Sequence, residues 1–126
     1  YSAYCVSKIA LIKMCELIDN EEYDANIFII GPGFVKTKIH EETIHAGDNA
    51  GDGLKKTLAF LETPGTSLDD IYAHMNWCIG AGKEVASGRN FSTVHDAWRD
   101  GGIALKQSLI GDANALRLRR HMSNMK

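Results

Sequence analysis

Asn26-Ile27-Phe28-Ile29-Ile30, followed at once by Gly31-Pro32-Gly33, is the stretch that decides the fold. It is a short, continuous apolar run rich in β-branched residues. A half-buried strand alternates apolar and polar side chains. A run without alternation predicts a strand buried on both faces, as in a parallel sheet. Gly31-Pro32-Gly33 then stops the strand sharply.

Upstream, Ser2 is placed to cap a helix running to about Asp19 or Asn20. Ile9, Ala10, Leu11, Ile12, Met14, Cys15, Leu17 and Ile18 make that helix apolar almost all the way round. Such a helix is expected to be buried on several sides or to pack on a partner subunit. Asn20 to Asp24 is a polar connection. Downstream, residues 38–53 are polar and lack strong periodicity, which predicts a mobile loop or short helix. Lys55 to Glu62 reads as a short helix ended before Pro64. Ser67 with Asp69 and Asp70 is a helix start, and Ile71, Met75 and Cys78, with Tyr72 and Ile79, supply an apolar face through about Ala81. Ser87-Gly88-Arg89 is a turn, Asn90 to Val94 a second strand, and Ala104 to Ile110 a last helix. Helix, strand, excursion, helix, strand is an α/β alternation. Two strands bury too little for a stable parallel sheet. Further strands are therefore expected before Tyr1, in a chain cut inside a domain. No internal repeat or low-complexity segment interrupts this order.

With 126 residues, 44% hydrophobic and 24% charged, the chain has the composition of an ordinary globular domain. A net charge of -2 leaves no basic footprint for nucleic acid. The one basic cluster, Arg117, Arg119, Arg120 and His121, reads as a solvated or interface-facing tail. Cys5, Cys15 and Cys78 are an odd number without metal-like spacing, which fits a reduced, cytoplasmic setting. Cys5 and Cys15 read as small core residues of the first helix. No run approaches the ~18 apolar residues of a membrane span, so no membrane partner is expected.

The chemistry-bearing run is Tyr1-Ser2-Ala3-Tyr4-Cys5-Val6-Ser7-Lys8. Tyr4 and Lys8 are four apart and share a helix face. An ammonium so placed favours the phenolate, which makes Tyr4 a candidate general acid/base. Alone, a Tyr and a Lys at this spacing are common, and the plainer reading is a ring packing on a Lys stem. The order around the pair is more specific: an apolar helix, a buried strand, then Gly31-Pro32-Gly33-Phe34-Val35-Lys36-Thr37. Elsewhere the plainer reading prevails. His40, Glu41, Glu42, His45 and Asp48 have no defined metal-ligand spacing. His74 and Trp77 read as packing residues, and His95 and Asp96 as turn and capping residues.

On these motifs the sequence resembles the short-chain dehydrogenase/reductase family, over the C-terminal half of that fold. The resemblance runs from Tyr1 to about Asp96, and more loosely through Arg120. It implies the C-terminal half of a Rossmann-type doubly wound parallel sheet, one partial dinucleotide-binding domain over 1–126. In it, 38–66 would be a substrate lid and 97–126 a C-terminal tail. It implies that Tyr4 is the catalytic tyrosine and Lys8 its partner lysine, that both contact the cofactor, and that Lys8 reaches its ribose. Pro32, Gly33, Val35 and Thr37 would line the nicotinamide end of NAD or NADP. It further implies an alcohol/carbonyl substrate, and a homodimer or homotetramer through the Tyr4–Asp19 helix. The family's Gly-rich turn, serine and asparagine have no counterpart here. The 126 residues alone are therefore expected to be inactive. The alternative is a non-catalytic remnant or splice product acting as an oligomerisation or interaction module through the first helix.

Overall fold

The computed structural model describes residues 1–21, 24–36, 55, 58 and 65–120. Among them, α1 spans Ser2–Asn20, β1 Ile29–Gly31, α2 Leu68–Ala81, α3 Lys83–Ala86, β2 Asn90–Ser92 and α4 Ile103–Gly111. The two strands pair in parallel, with Ile29 opposite Asn90, Ile30 opposite Phe91 and Gly31 opposite Ser92. The protein is thus mixed α/β, with a small parallel sheet whose two strands are joined across a helical crossover.

Backbone hydrogen bonds extend the pairing past the formal strands. Gly88 N donates to Ile27 O (2.7 Å), Ile29 N to Arg89 O (3.0 Å) and Thr93 N to Gly31 O (3.0 Å). The apolar run from Ile27 is therefore bound along its length, as its composition predicts. It is half-buried rather than buried on both faces. Among the described residues β2 is its only strand neighbour.

The core lies between the sheet and α2 to α4. Cys78, Val85, Ala86, Phe91 and Leu109 form its buried centre, with Phe28, Ile30, Trp77, Ala81, Leu105 and Leu116 packed around them. Helix α2 begins as its sequence predicts: the Ser67 hydroxyl accepts from Asp70 N at 3.1 Å, and Asp69 and Asp70 occupy the first turn. Its inward face differs from the one read from hydropathy. His74 and Cys78 are buried, Trp77 and Ala81 partly so, while Leu68, Tyr72, Met75 and Ile79 are exposed. A polar ring displaces the aliphatic residues because it finds a partner inside. Gly82, at φ +84°, separates α2 from the single turn of α3.

Helix α1 departs from expectation in three ways. Ser2 is not its cap but its first helical residue; Tyr1 occupies the cap position, and its side chain does not cap the helix. Cys5 is exposed and only Cys15 is buried, its thiol donating to Ile27 O at 3.4 Å. The apolar girdle is also not buried on several sides within this chain: Val6, Ile9, Leu11, Met14 and Leu17 are exposed, which leaves the alternative of packing on a partner subunit. Only Cys15 and Glu16 are buried, with Ile12, Ile18 and Asp19 half-buried beside them. The positions 12, 15, 16 and 19 trace one helical stripe, confined to the C-terminal half of the helix. Its N-terminal half stands clear of the described body.

Among the described residues, the segment after α4 is not free in solvent along its length: residues 115–118 are half-buried. Asn90 N donates to Leu116 O at 2.9 Å, so the chain returns to the sheet. Arg89, buried at the start of β2, donates from its guanidinium to Asp112 O (3.2 Å), Ala115 O (2.7 Å) and Leu109 O (2.8 Å). Burial draws the Arg89 pKa below its usual value, with neighbouring Arg117 adding to the effect and Asp112 and Asp19 opposing it. One carbonyl of α4 and two of the segment after it thus satisfy the Nη1 and Nη2 groups of this buried cation.

Candidate functional site

Two groups of residues singled out by the sequence stand on different elements. Tyr4 and Lys8 occupy the exposed N-terminal half of α1. Lys8 Nζ lies 5.4 Å from the Tyr4 ring centroid, over the ring face. The Tyr1 ring meets Tyr4 edge-on, with centroids 6.3 Å apart. Tyr4 remains 55% exposed. One helical turn brings the phenol and the ammonium together, as their spacing requires. The ammonium sits over the ring, as a packing pair also would.

Pro32, Gly33 and Val35 leave the carboxyl end of β1. Because the strands are parallel, this end and the end of β2 share one edge, the edge at which open α/β sheets bind ligands. Gly33 has φ +82°. A Cβ there would lie 2.6 Å from Val94 Cγ2 and 2.8 Å from Thr66 Oγ1. Glycine is thus required twice over, by backbone conformation and by close approach. The atoms that approach it are side chains of this chain. Phe34 O accepts from Thr66 N at 2.7 Å, which ties the turn to the residue just before the α2 cap. Thr37 lies outside the described residues, as do His40, Glu41, Glu42, His45, Asp48 and nearly all of the expected lid.

Behind this edge sits a polar-aromatic cluster. His74 is fully buried, and its Nδ1 shares a 2.8 Å hydrogen bond with the Thr93 hydroxyl. Its ring stacks on Trp98 at 4.7 Å and meets Phe91 edge-on at 5.9 Å. Burial lowers the His74 pKa; Asp96 opposes this and Arg99 reinforces it. The imidazole is therefore held neutral. Trp98 Nε1 donates to Thr93 O at 3.0 Å, and Asp96 accepts from Ser92 N at 2.6 Å. His74 and Asp96 thus have the packing and turn-capping places their sequence context suggests. Together these bonds fix Thr93 and hence Val94, the residue against which Gly33 rests.

The sequence reading missed Thr66 and Val94 as walls of the Gly33 turn, and Thr93 as the partner of His74. Nothing local marks them, since each meets its partner only through the crossover. Glu16 was missed too, and Arg119, read as part of a solvated or interface-facing basic cluster, was not matched to it. Glu16 left one signal, a carboxylate that shares with Asp19 the helix stripe of Ile12 and Cys15. Among the described residues no cluster of three or more His, Cys, Asp or Glu is grouped to hold a metal ion, and no helix is long and apolar enough to cross a membrane.

A scan against protein-family models finds no match for this chain. No curated protein and no solved structure matches it significantly.

Proposed function

We propose that this chain is the C-terminal part of an NAD(P)-dependent short-chain dehydrogenase/reductase, interconverting an alcohol and a carbonyl compound. The observation that carries the reading is the order of parts. A helix bearing Tyr4 and Lys8 leads into a parallel strand, and that strand ends in a glycine turn on the carboxyl edge beside its parallel neighbour. The finer architecture of the proposal is the C-terminal half of a Rossmann-type doubly wound sheet. NAD or NADP would lie along the carboxyl edge, with Pro32, Gly33, Val35 and Thr37 toward its nicotinamide end. The cofactor would supply the hydride. Tyr4 would donate a proton to the carbonyl oxygen in reduction and take it back in oxidation. Lys8 would stabilise the phenolate and reach the cofactor ribose. The proposal needs a preceding segment that supplies the Gly-rich phosphate turn and the active-site serine.

In the full-length protein, Tyr4→Phe is expected to lower kcat by roughly 10²–10⁴-fold. Binding of NADH or NADPH, followed by cofactor fluorescence, should stay within about twofold, because general acid/base catalysis is lost while the binding contacts remain. Turnover that survives Tyr4→Phe would refute the assignment.

A second reading is supported by the uncovered apolar side chains of α1: the chain is an oligomerisation or interaction module. A full-length protein that binds neither NADH nor NADPH, yet associates through α1, would favour it.

A further inference from the structure

We propose that the C-terminal tail is an ionic latch that sets the position of helix α1, with Arg119 and Arg117 as its positioning residues. The tail is first pinned to the sheet, through Asn90 N to Leu116 O and through Arg89 to the carbonyls of Asp112 and Ala115. From that anchorage two guanidinium groups reach α1. Arg119 Nη1 donates to Glu16 Oε1 at 2.8 Å, and its Nε is held by Asn114 Oδ1, also at 2.8 Å. Arg117 Nη2 lies 3.6 Å from Asp19 Oδ2. Arg117 itself is fixed by bonds to Ser87 O (2.8 Å), Ala113 O (2.8 Å) and Gly88 O (3.3 Å).

The receiving end is equally specific. The Glu16 side chain is only 4% exposed, and its other oxygen faces Lys13 at 3.3 Å. Asp19 also receives Lys83 at 3.0 Å. Burial alone would raise the Asp19 carboxyl, but the Ser87 hydroxyl, Lys83 and Arg117 together bring it below its usual range. Gly88, at φ +75°, completes the fit: a Cβ there would lie 2.7 Å from Asp19 Oδ2 and 3.1 Å from Arg117 Nη2. The turn glycine leaves room for the latch.

These contacts fall on the one stripe of α1 that is buried. Removing Arg119 would leave the Glu16 carboxylate in a desolvated place with only an exposed lysine beside it. An unpaired buried carboxylate is costly, so the helix is expected to shift until water reaches it. Glu16 and Tyr4 are about 18 Å apart along the helix at 1.5 Å per residue. A tilt of roughly 5° at the latch would move Tyr4 by roughly 1.5 Å, and errors near 1 Å can cost about 100-fold in rate. This catalytic consequence rests on the dehydrogenase reading; the latch itself does not.

The test is amide hydrogen exchange on the full-length protein, wild type against Arg119→Ala. Exchange across 9–20 should rise at least tenfold while α2 and β2 keep their protection, and Arg119→Lys should recover part of it. Should Arg119→Ala not fold, Glu16→Gln takes its place, with an acceleration of at least threefold confined to α1. Unchanged exchange in α1, or equal loosening of α2 and β2, overturns the latch. Turnover separates the two proposals. If α1 loosens but no form oxidises or reduces any alcohol or carbonyl tested, the latch stands and the dehydrogenase reading falls. If wild type and Arg119→Ala turn over equally and α1 stays protected, the latch falls and the reading stands. With both correct, kcat drops 10- to 100-fold in Arg119→Ala while KM for the dinucleotide changes less than threefold.

Discussion

Helices α1 and α2 lie on either side of β1 in the sequence, and both carry abundant apolar residues. They are nevertheless held by different forces. Helix α2 presents His74, Trp77, Cys78 and Ala81 to an aromatic and aliphatic interior. Helix α1 buries only Cys15 and Glu16 and is tied down by carboxylates facing Arg117, Arg119 and Lys83. Apolar burial is non-directional and tolerates small shifts. Charge-assisted bonds fix an orientation but contribute little unless desolvated. The difference teaches that abundance of apolar residues does not say which face of a helix is used, or whether one is. On α1 the aliphatic residues are mostly exposed.

The comparison breaks most visibly at Phe91, the fully buried centre of the α2 side. Phe91→Ala is expected to cost about 3–5 kcal/mol, the usual range for such a truncation in a packed core. The measurement is a denaturant midpoint at unchanged m-value. A loss below about 1 kcal/mol would mean that α2 is not held by this core.

A middle-sized effect separates the helices by pH. The folded-state pKa of His74 is lowered, so folding favours the neutral ring. Its contribution is fully present above the unfolded value of about 6.5 and is lost as pH falls from there through the folded value. In that window stability should fall by up to about 1.4 kcal/mol per pH unit. His74→Phe should flatten the slope. An identical slope in that variant would exclude His74 as its origin.

The smallest effect belongs to the exposed half of α1. Ile9→Lys should change the stability of the unassociated chain by no more than about 0.5 kcal/mol. It should weaken any self-association by tenfold or more, as read by sedimentation. Association that is indifferent to the substitution would remove α1 as the interface.

How much of this was legible in the sequence depends on the range of each signal. The run Ile27 to Ile30 and its glycine stop, the Ser67 cap with Asp69 and Asp70, the turn at Gly88 and the final helix were readable, because each depends on neighbours a few residues away. The pairing of Tyr4 with Lys8 was readable for the same reason, since one helical turn brings them together. Where the signal was a hydropathy pattern, it identified helices but not their inward faces. On α2 it placed Ile71, Met75 and Cys78, with Tyr72 and Ile79, toward the core; Cys78 is buried there and Ile71 half-buried, but Tyr72, Met75 and Ile79 are exposed and His74 and Trp77 face inward. For α1 it offered burial on several sides or packing on a partner subunit, and within this chain the helix is mostly uncovered. Ser2 looked like a cap, yet the helix begins one residue earlier than a serine cap would allow.

What the sequence by itself determined, then, was the α/β order and the local chemistry of its caps, turns and helical pairs. Only the tertiary structure decided the rest: that His74 faces Thr93, that Gly33 is closed off by Val94 and Thr66, and that the arginine tail returns to Glu16 and Asp19. The physical reason is that each of these contacts joins residues far apart along the chain. Which distant groups meet is set by how the parallel crossover and the returning tail satisfy buried polar atoms, and no local pattern of residues encodes that.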